Sequence, residues 1–516
     1  AKMSPPVVEV KMKKKKKRST EDVEAGGGAK KGKLQPVRAS GTPTGSKTKT
    51  ASPGGSGKKK AAASGRAWTM GSDPLKGRIM VATRDLEVGE VILNEQPLVA
   101  ASWHEHRCLE CHEPHAASTC KEVAAKYPKT VAEKMDDIGE ALGTIDGFDE
   151  LDMSRRLIKL LNLARLQPER AELTRPCTAH NMDKCRAIIK DIKAHKVACV
   201  IVPAEVKDEE AARLLAVLNT NSHELGEWGG SGFFPLACLS EHSCQANCAF
   251  STSGTELWVT VVQRVKSGAP LSIDYCDATF EPTAVRQAHL LEDYGFECVC
   301  ERCTTQPDRA RAFLCPEAGC TSKICPVGLG KKPSDWKCLT CRTQLSKPTR
   351  IRYKKIEKAL ADEGPQDLEE IDEVLEHDVF HESHYIIIDA LVELGEAMAK
   401  DDEQVRNGGA EAIWKRIIRL ANEVLPEVHH RKAIYYDNLA QVQVAKGDLG
   451  AAKVSLTKAY QVTEKACGKD SPLCQQARQL MLNPPQNIEA MQASYESMRE
   501  LAAKKQRMGV DGLGFL

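Results

Sequence analysis

Ten of the twenty cysteines in this 516-residue chain fall into three groups whose spacing suits a metal ion. The tightest is Cys298-x-Cys300-x2-Cys303, close behind Tyr294-Gly295-Phe296. Three thiols in six residues cannot all point into a core, and zinc takes four tetrahedral ligands. The fourth must come from elsewhere, and Cys244 or Cys248 is available. The second group joins Cys315-x4-Cys320 to Cys338-x2-Cys341, with Trp336 between the pairs. Two short-spaced pairs form a ribbon-like site, each gripping one edge of the metal; Cys325 is a surplus thiol that could replace Cys320. The third is Cys108-x2-Cys111-x8-Cys120, near His104, His106, His112 and His115. Three thiols and an imidazole could bind zinc, and free thiols are the alternative. Cys177, Cys185, Cys199, Cys238, Cys276, Cys467 and Cys474 lack ligand spacing and read as buried thiols.

Ligands of this kind need a reduced setting. The cysteine density is about half that of a disulfide-dense mini-protein. The lysine-rich start carries no apolar signal region, and no run approaches the roughly 18 apolar residues of a membrane span. Composition therefore points to reduced thiols in the nucleus or cytoplasm rather than to a secreted scaffold or a membrane protein. The formal charge of +2 is an average of two unlike parts. Residues 1–66 hold 18 basic and 4 acidic side chains, and residues 67–516 hold 55 and 67. The first 66 residues are too poor in apolar side chains to fold and read as a disordered basic tail. Its run Lys13 to Arg18 fits nuclear import, with a solubilising tail or a nucleic-acid arm as alternatives.

The positioning elements form an α+β chain. Residues 77–86 and 88–93 read as a hairpin-like pair around Val88-Gly89-Glu90. Residues 122–200 show helical spacing, with Leu157, Ile158, Leu160 and Leu161 among the apolar positions. Residues 230–275 turn β-rich, with strands expected at 257–262 and 271–275. Beyond Ile351 the pattern is almost wholly helical, and Gly447-Asp448 marks one helix ending and the next beginning. That turn suits a tetratricopeptide-like unit or an ordinary helical bundle.

In chain order the motifs are Lys76-Gly77-Arg78, Asn219-Thr220-Asn221-Ser222-His223, Glu241-His242-Ser243-Cys244, Ile273-Asp274-Tyr275 and Tyr294-Gly295-Phe296 ahead of the Cys298 cluster. Together they resemble a SET domain of the SET-and-MYND family over about residues 75–345. The resemblance implies a SET domain split into residues 75–103 and 213–280 by an insertion at 104–212. A post-SET zinc site at 281–305, a ribbon-like segment at 310–345 and a helical domain at 350–505 would follow. It implies S-adenosylmethionine-dependent N-methylation of protein lysines, on a histone or another protein. Lys76, Gly77, Arg78, Asn221, Glu241, His242, Tyr275 and Phe296 would cradle the cofactor. Tyr275 and Tyr294 would serve the transfer, with Tyr294 and Phe296 walling a lysine channel. Cys244 would complete the first zinc site, and Cys315, Cys320, Cys338 and Cys341 would hold another.

The pattern departs from the family's at three positions: Ile79 stands for a glycine, Glu241 for an asparagine and Ala246 for a proline. The insertion also carries fewer ligands than a full two-zinc MYND finger. Close approach of a ligand to the backbone favours glycine at the first of these positions, and a carboxylate lacks the donor capacity of the amide at the second. The competing reading is a cofactor-poor SET-fold scaffold in the nucleus, binding partner proteins through its helical C-terminal domain.

Overall fold

The computed structural model describes residues 66–74, 76–148, 151–226, 228–277, 280–362 and 364–496. The basic tail, apart from Arg66, and the chain beyond residue 496 lie outside the described residues. The strands are β1 (Trp68–Asp73), β2 (Gly77–Ala82), β3 (Val91–Glu95), β4 (Val99–Ser102), β5 (Ser222–Leu225), β6 (Gly230–Phe233), β7 (Glu241–His242), β8 (Cys248–Ser253), β9 (Glu256–Val261), β10 (Ser272–Ile273), β11 (Phe313–Leu314) and β12 (Lys323–Ile324). Helices fill the insertion between β4 and β5 and nearly all of the chain after Lys347, giving an α+β architecture.

The hairpin expected around Val88-Gly89-Glu90 does not form. β2 pairs antiparallel with β1, which begins right after the tail, and β3 pairs with β9 in the order β3-β9-β8. The intervening segment is held elsewhere: Leu86 bridges Val265, and the Gly89 amide donates to the Val261 carbonyl at 2.8 Å. Gly89, at φ +87°, turns the chain toward that second sheet, a conformation glycine adopts without a Cβ clash. β4, β6 and β5 make a third antiparallel sheet. Met80, Leu93, Phe234, Leu257, Val259 and Leu271 belong to the apolar core of the β region.

The insertion has its own core. Helix Leu151–Leu166 buries Leu157, Ile158, Leu160 and Leu161 against Ile188, Leu214 and Leu218. In the C-terminal part, Ile387, Leu391, Trp414, Ile417 and Leu439 form another core. Helix His430–Lys446 ends at Gly447 (φ +84°), and the Asp448 carboxylate caps the next helix by accepting from the Ala451 amide at 3.0 Å.

Three local features place the candidate site. β7 and β10 pair in parallel, setting Glu241 beside Ser272 and His242 beside Ile273. The strand expected over 271–275 is limited to Ser272–Ile273. Beyond it the Tyr275 amide donates to His242 Nδ1 and the Cys276 amide to Asp274 Oδ1, each at 3.1 Å, so the chain bends off the sheet. Helix Thr283–Tyr294 stops at Gly295 (φ +76°), whose left-handed turn carries Phe296 back beside Tyr294.

Candidate active site and metal centres

The bend after β10 and the stop at Gly295 gather four rings. Tyr275 and Tyr294 have centroids 4.9 Å apart, Tyr294 and Phe296 6.3 Å, His242 and Tyr275 5.2 Å, and His242 and Phe296 5.9 Å. The Tyr275 hydroxyl donates to the Ser240 carbonyl at 2.6 Å, and that of Tyr294 to the Tyr275 carbonyl at 3.4 Å. Burial pushes both phenols above their ordinary range, so each stays a protonated donor at neutral pH. His242 is buried, and accepting at Nδ1 leaves its Nε2 facing Cys244 Sγ at 3.3 Å.

Next to this aromatic group lies an ion pair. Lys76 Nζ is 2.8 Å from Glu241 Oε1, with the Glu241 side chain 9% exposed and that of Lys76 41%. A Cβ on Gly77 would meet nothing within 4 Å, so the backbone beside Lys76 faces open space. Arg78 and Asn221 turn to the segment 175–178: Arg78 donates to the Arg175 carbonyl at 2.9 Å, and the Asn221 amide to the Thr178 carbonyl at 2.7 Å. Asn221 also donates to the Val217 carbonyl at 2.8 Å, so its NH2 group is fully used. Ile79 is buried and pairs with Gly71 across the β1–β2 hairpin, where a Cβ on Gly71 would clash with Val81 rather than with Ile79. The structure thus brings Glu241, His242, Tyr275, Tyr294 and Phe296 together with Lys76, and directs Arg78 and Asn221 toward the insertion.

Cys244, Cys298, Cys300 and Cys303 place their sulfurs within 4.8 Å of one another, as a metal ion requires. Cys244 lies 3.5 Å from Cys303 and 4.0 Å from Cys298. Cys248 is outside the group, buried in the β core. Behind the cluster, the fully buried Arg286 donates to Cys303 Sγ at 3.6 Å and sits 3.6 Å from Asp308. The ribbon group is Cys315, Cys320, Cys338 and Cys341, while Cys325 is buried apart from it.

The third cluster gains the ligand that the sequence left open. His115 joins Cys108, Cys111 and Cys120, its Nε2 3.0 Å from Cys111 Sγ. Its Nδ1 donates to the Ala116 carbonyl at 2.8 Å, leaving Nε2 as the lone-pair nitrogen. The Cys108–Cys111 turn repeats the one at Cys338–Cys341. In the former the Cys108 amide donates to the Glu113 carbonyl, the Glu110 amide points at Cys108 Sγ, and His112 is left-handed. In the latter Cys338, Thr343, Thr340 and Arg342 take the same parts. The three-residue gap from Cys111 to His115 was visible in the sequence, but four histidines shared the segment. A further group, Asp277, His429 and His430, had no sequence signal because 152 residues separate its halves. Arg431 already neutralises Asp277, at 3.0 Å.

With this geometry in place, comparison with known proteins gives the class. Residues 77–276 match the SET domain family. SET domain-containing protein SmydA-8, isoform A, of Drosophila melanogaster is 25% identical over 317 residues, covering 55% of this chain and 67% of the relative. Human N-lysine methyltransferase SMYD2 is 24% identical over 48% of this chain and 54% of its own length. Arabidopsis thaliana histone-lysine N-methyltransferase ASHR1 is 23% identical, over 52% and 64% respectively. These relatives agree with the SET-and-MYND resemblance read from the sequence. Among the described residues no helix is long and apolar enough to cross a membrane.

Proposed function

We propose that the chain is an S-adenosylmethionine-dependent protein-lysine N-methyltransferase, acting on a histone or another protein in the nucleus or cytoplasm. The observation that carries this reading is the half-buried ring cluster of Tyr275, Tyr294 and Phe296, packed on His242 beside the Lys76–Glu241 ion pair. The relatives named as lysine methyltransferases support it. S-adenosylmethionine would supply a methyl group on a sulfonium, ready for in-line attack by a neutral lysine amine.

The donor chemistry fits an amino-acid end: Lys76 matches a carboxylate and Glu241 an ammonium, so a zwitterion exchanges one ion pair for two. Glu241 in place of an amide is therefore matched by its partner. Tyr275, Tyr294 and Phe296 would line the lysine channel, covering methylenes and attracting the cationic head. The same dry surroundings lower the pKa of an entering lysine and so release the amine. Tyr275 and Tyr294, both held protonated, would orient that nitrogen through their oxygens rather than act as bases. Cys244, Cys298, Cys300 and Cys303, with the ribbon cysteines, would hold zinc and fix the Phe296 side of the channel.

A second reading has a specific observation behind it. Asn221 spends its amide on the backbone and Ile79 fills the place of a glycine, which suits a SET-fold scaffold that binds partners through its TPR-like helical domain. Calorimetry on zinc-loaded protein decides between the two. Binding of S-adenosylmethionine, followed by labelled methyl transfer to protein, supports the enzyme. No binding at millimolar concentration supports the scaffold.

A further inference from the structure

The folded body is acidic as a whole, yet one stretch of it is strongly basic. Residues 315–358 hold eleven Lys/Arg and three Asp/Glu, a net of +8, within a region (67–516) whose net charge is −12. This stretch comprises the four-cysteine ribbon and most of helix Lys347–Asp362, packed as one unit. Phe313 stacks on Tyr353 at 5.4 Å, and the fully buried Trp336 donates from Nε1 to the Gly330 carbonyl at 2.8 Å. The helix turns Tyr353 and Glu357 inward. Its outer face and flank carry Lys347, Lys354, Lys355 and Lys358, all exposed. Lys354 reaches the same Gly330 carbonyl, at 3.5 Å, which sets this face beside the exposed Lys331 and Lys332 that follow Gly330. Among the described residues none of these six lysines is in an ion pair, although acidic side chains pair with Lys and Arg across the rest of the body.

We infer that this face docks the phosphate backbone of double-stranded nucleic acid. Lys347 to Lys358 spans about 16 Å of helix, a length over which a duplex presents about nine phosphates. The lysines are separate, exposed point charges spread along a helix and an adjoining turn, so they suit a dense, extended polyanion rather than one small anion. Contacts from these lysines to phosphate fix position without reading bases, so the docking is sequence-independent. The inference does not depend on methyl transfer.

The test is fluorescence anisotropy of the full chain with a random-sequence 20-base-pair DNA duplex, repeated across salt concentrations. The triple variant Lys347→Gln/Lys355→Gln/Lys358→Gln should lower the slope of log K against log salt by about 2.7, at about 0.9 per phosphate contact. Between 50 and 200 mM salt the unaltered chain should then lose about 40-fold more affinity than the variant. Lys331→Gln/Lys332→Gln, a milder change outside the helix, should lower the slope by about 1.8 and keeps the test decisive if the triple variant misfolds. Lys453→Gln/Lys458→Gln, elsewhere on the body, should leave it unchanged. Because every protein keeps the basic N-terminal tail, the differences read the helix and ribbon alone. An unchanged slope in both variants would overturn the inference, as would equal binding of polyglutamate with the same losses.

Discussion

Changing Glu241 to Gln keeps the shape of the side chain and removes its charge, which isolates the part assigned to it. In the unliganded chain Glu241 pairs with a Lys76 that is 41% exposed, so that pair contributes only about 0.5–1 kcal/mol after screening by water. A ligand ammonium donating to the nearly buried Glu241 would contribute about 1.5–3 kcal/mol. The difference, about 1–2 kcal/mol, corresponds to a loss of about 5- to 30-fold in affinity. Calorimetry with S-adenosylhomocysteine reads this directly. Methylthioadenosine, which lacks the amino-acid end, serves as the control and should bind both proteins alike. Equal or tighter binding of S-adenosylhomocysteine to Glu241→Gln would show that the carboxylate competes for Lys76 rather than holding the ligand, and the zwitterion argument would be wrong.

Other expectations follow from the same geometry. Tyr275→Phe removes the donor to the Ser240 carbonyl, so stability should fall by about 1–2 kcal/mol in urea melts. Labelled methyl transfer should drop at least about tenfold while S-adenosylhomocysteine still binds, and unchanged transfer would remove Tyr275 from the reaction. Zinc counting by plasma mass spectrometry should find three ions per chain and two after His115→Ala; two in both would exclude the Cys108 site. Burial alone would raise the Glu357 carboxyl, but the Arg311 fork and His384 hold it down to about 2 from 4.5. Its contribution of about 3 kcal/mol is complete above pH 4.5 and is lost as pH falls through 2. Glu357→Gln should therefore lower stability at pH 7 and flatten the acid limb of the stability curve, and an unaltered limb would place the acid transition elsewhere.

The parts of this protein legible in sequence are those whose partners are close along the chain. Cys298, Cys300 and Cys303 declare a metal site by spacing alone, and the helical period of 151–166 shows directly. The Gly447-Asp448 junction is equally local, one residue ending a helix and the next capping another. Distance along the chain erases this clarity. Choosing Cys244 over Cys248 took the family resemblance, because Cys298 lies 54 positions after Cys244. The pairing of β3 with β9 crosses more than 160 residues, so the nearby run at 77–86 looked like the natural partner. β1 was missed because its Thr69-Met70-Gly71-Ser72 stretch continues the small, polar texture of the tail. The Lys76–Glu241 pair carried no signal at all, since each residue is unremarkable until the fold brings them together.

The ligand set of the first metal site also imposes an order on synthesis. Cys244 leaves the ribosome 59 residues before Cys303, an interval of about 3–12 s at ordinary elongation rates. During that time the β7 segment, with His242 two residues from Cys244, has no metal to anchor it and no aromatic wall to pack against. The ring cluster is complete in sequence only once Phe296 has emerged, seven residues before the last thiol. With zinc held by these four thiols, chains made under zinc shortage would lack the tie between the β7 segment and the Phe296 side of the ring cluster.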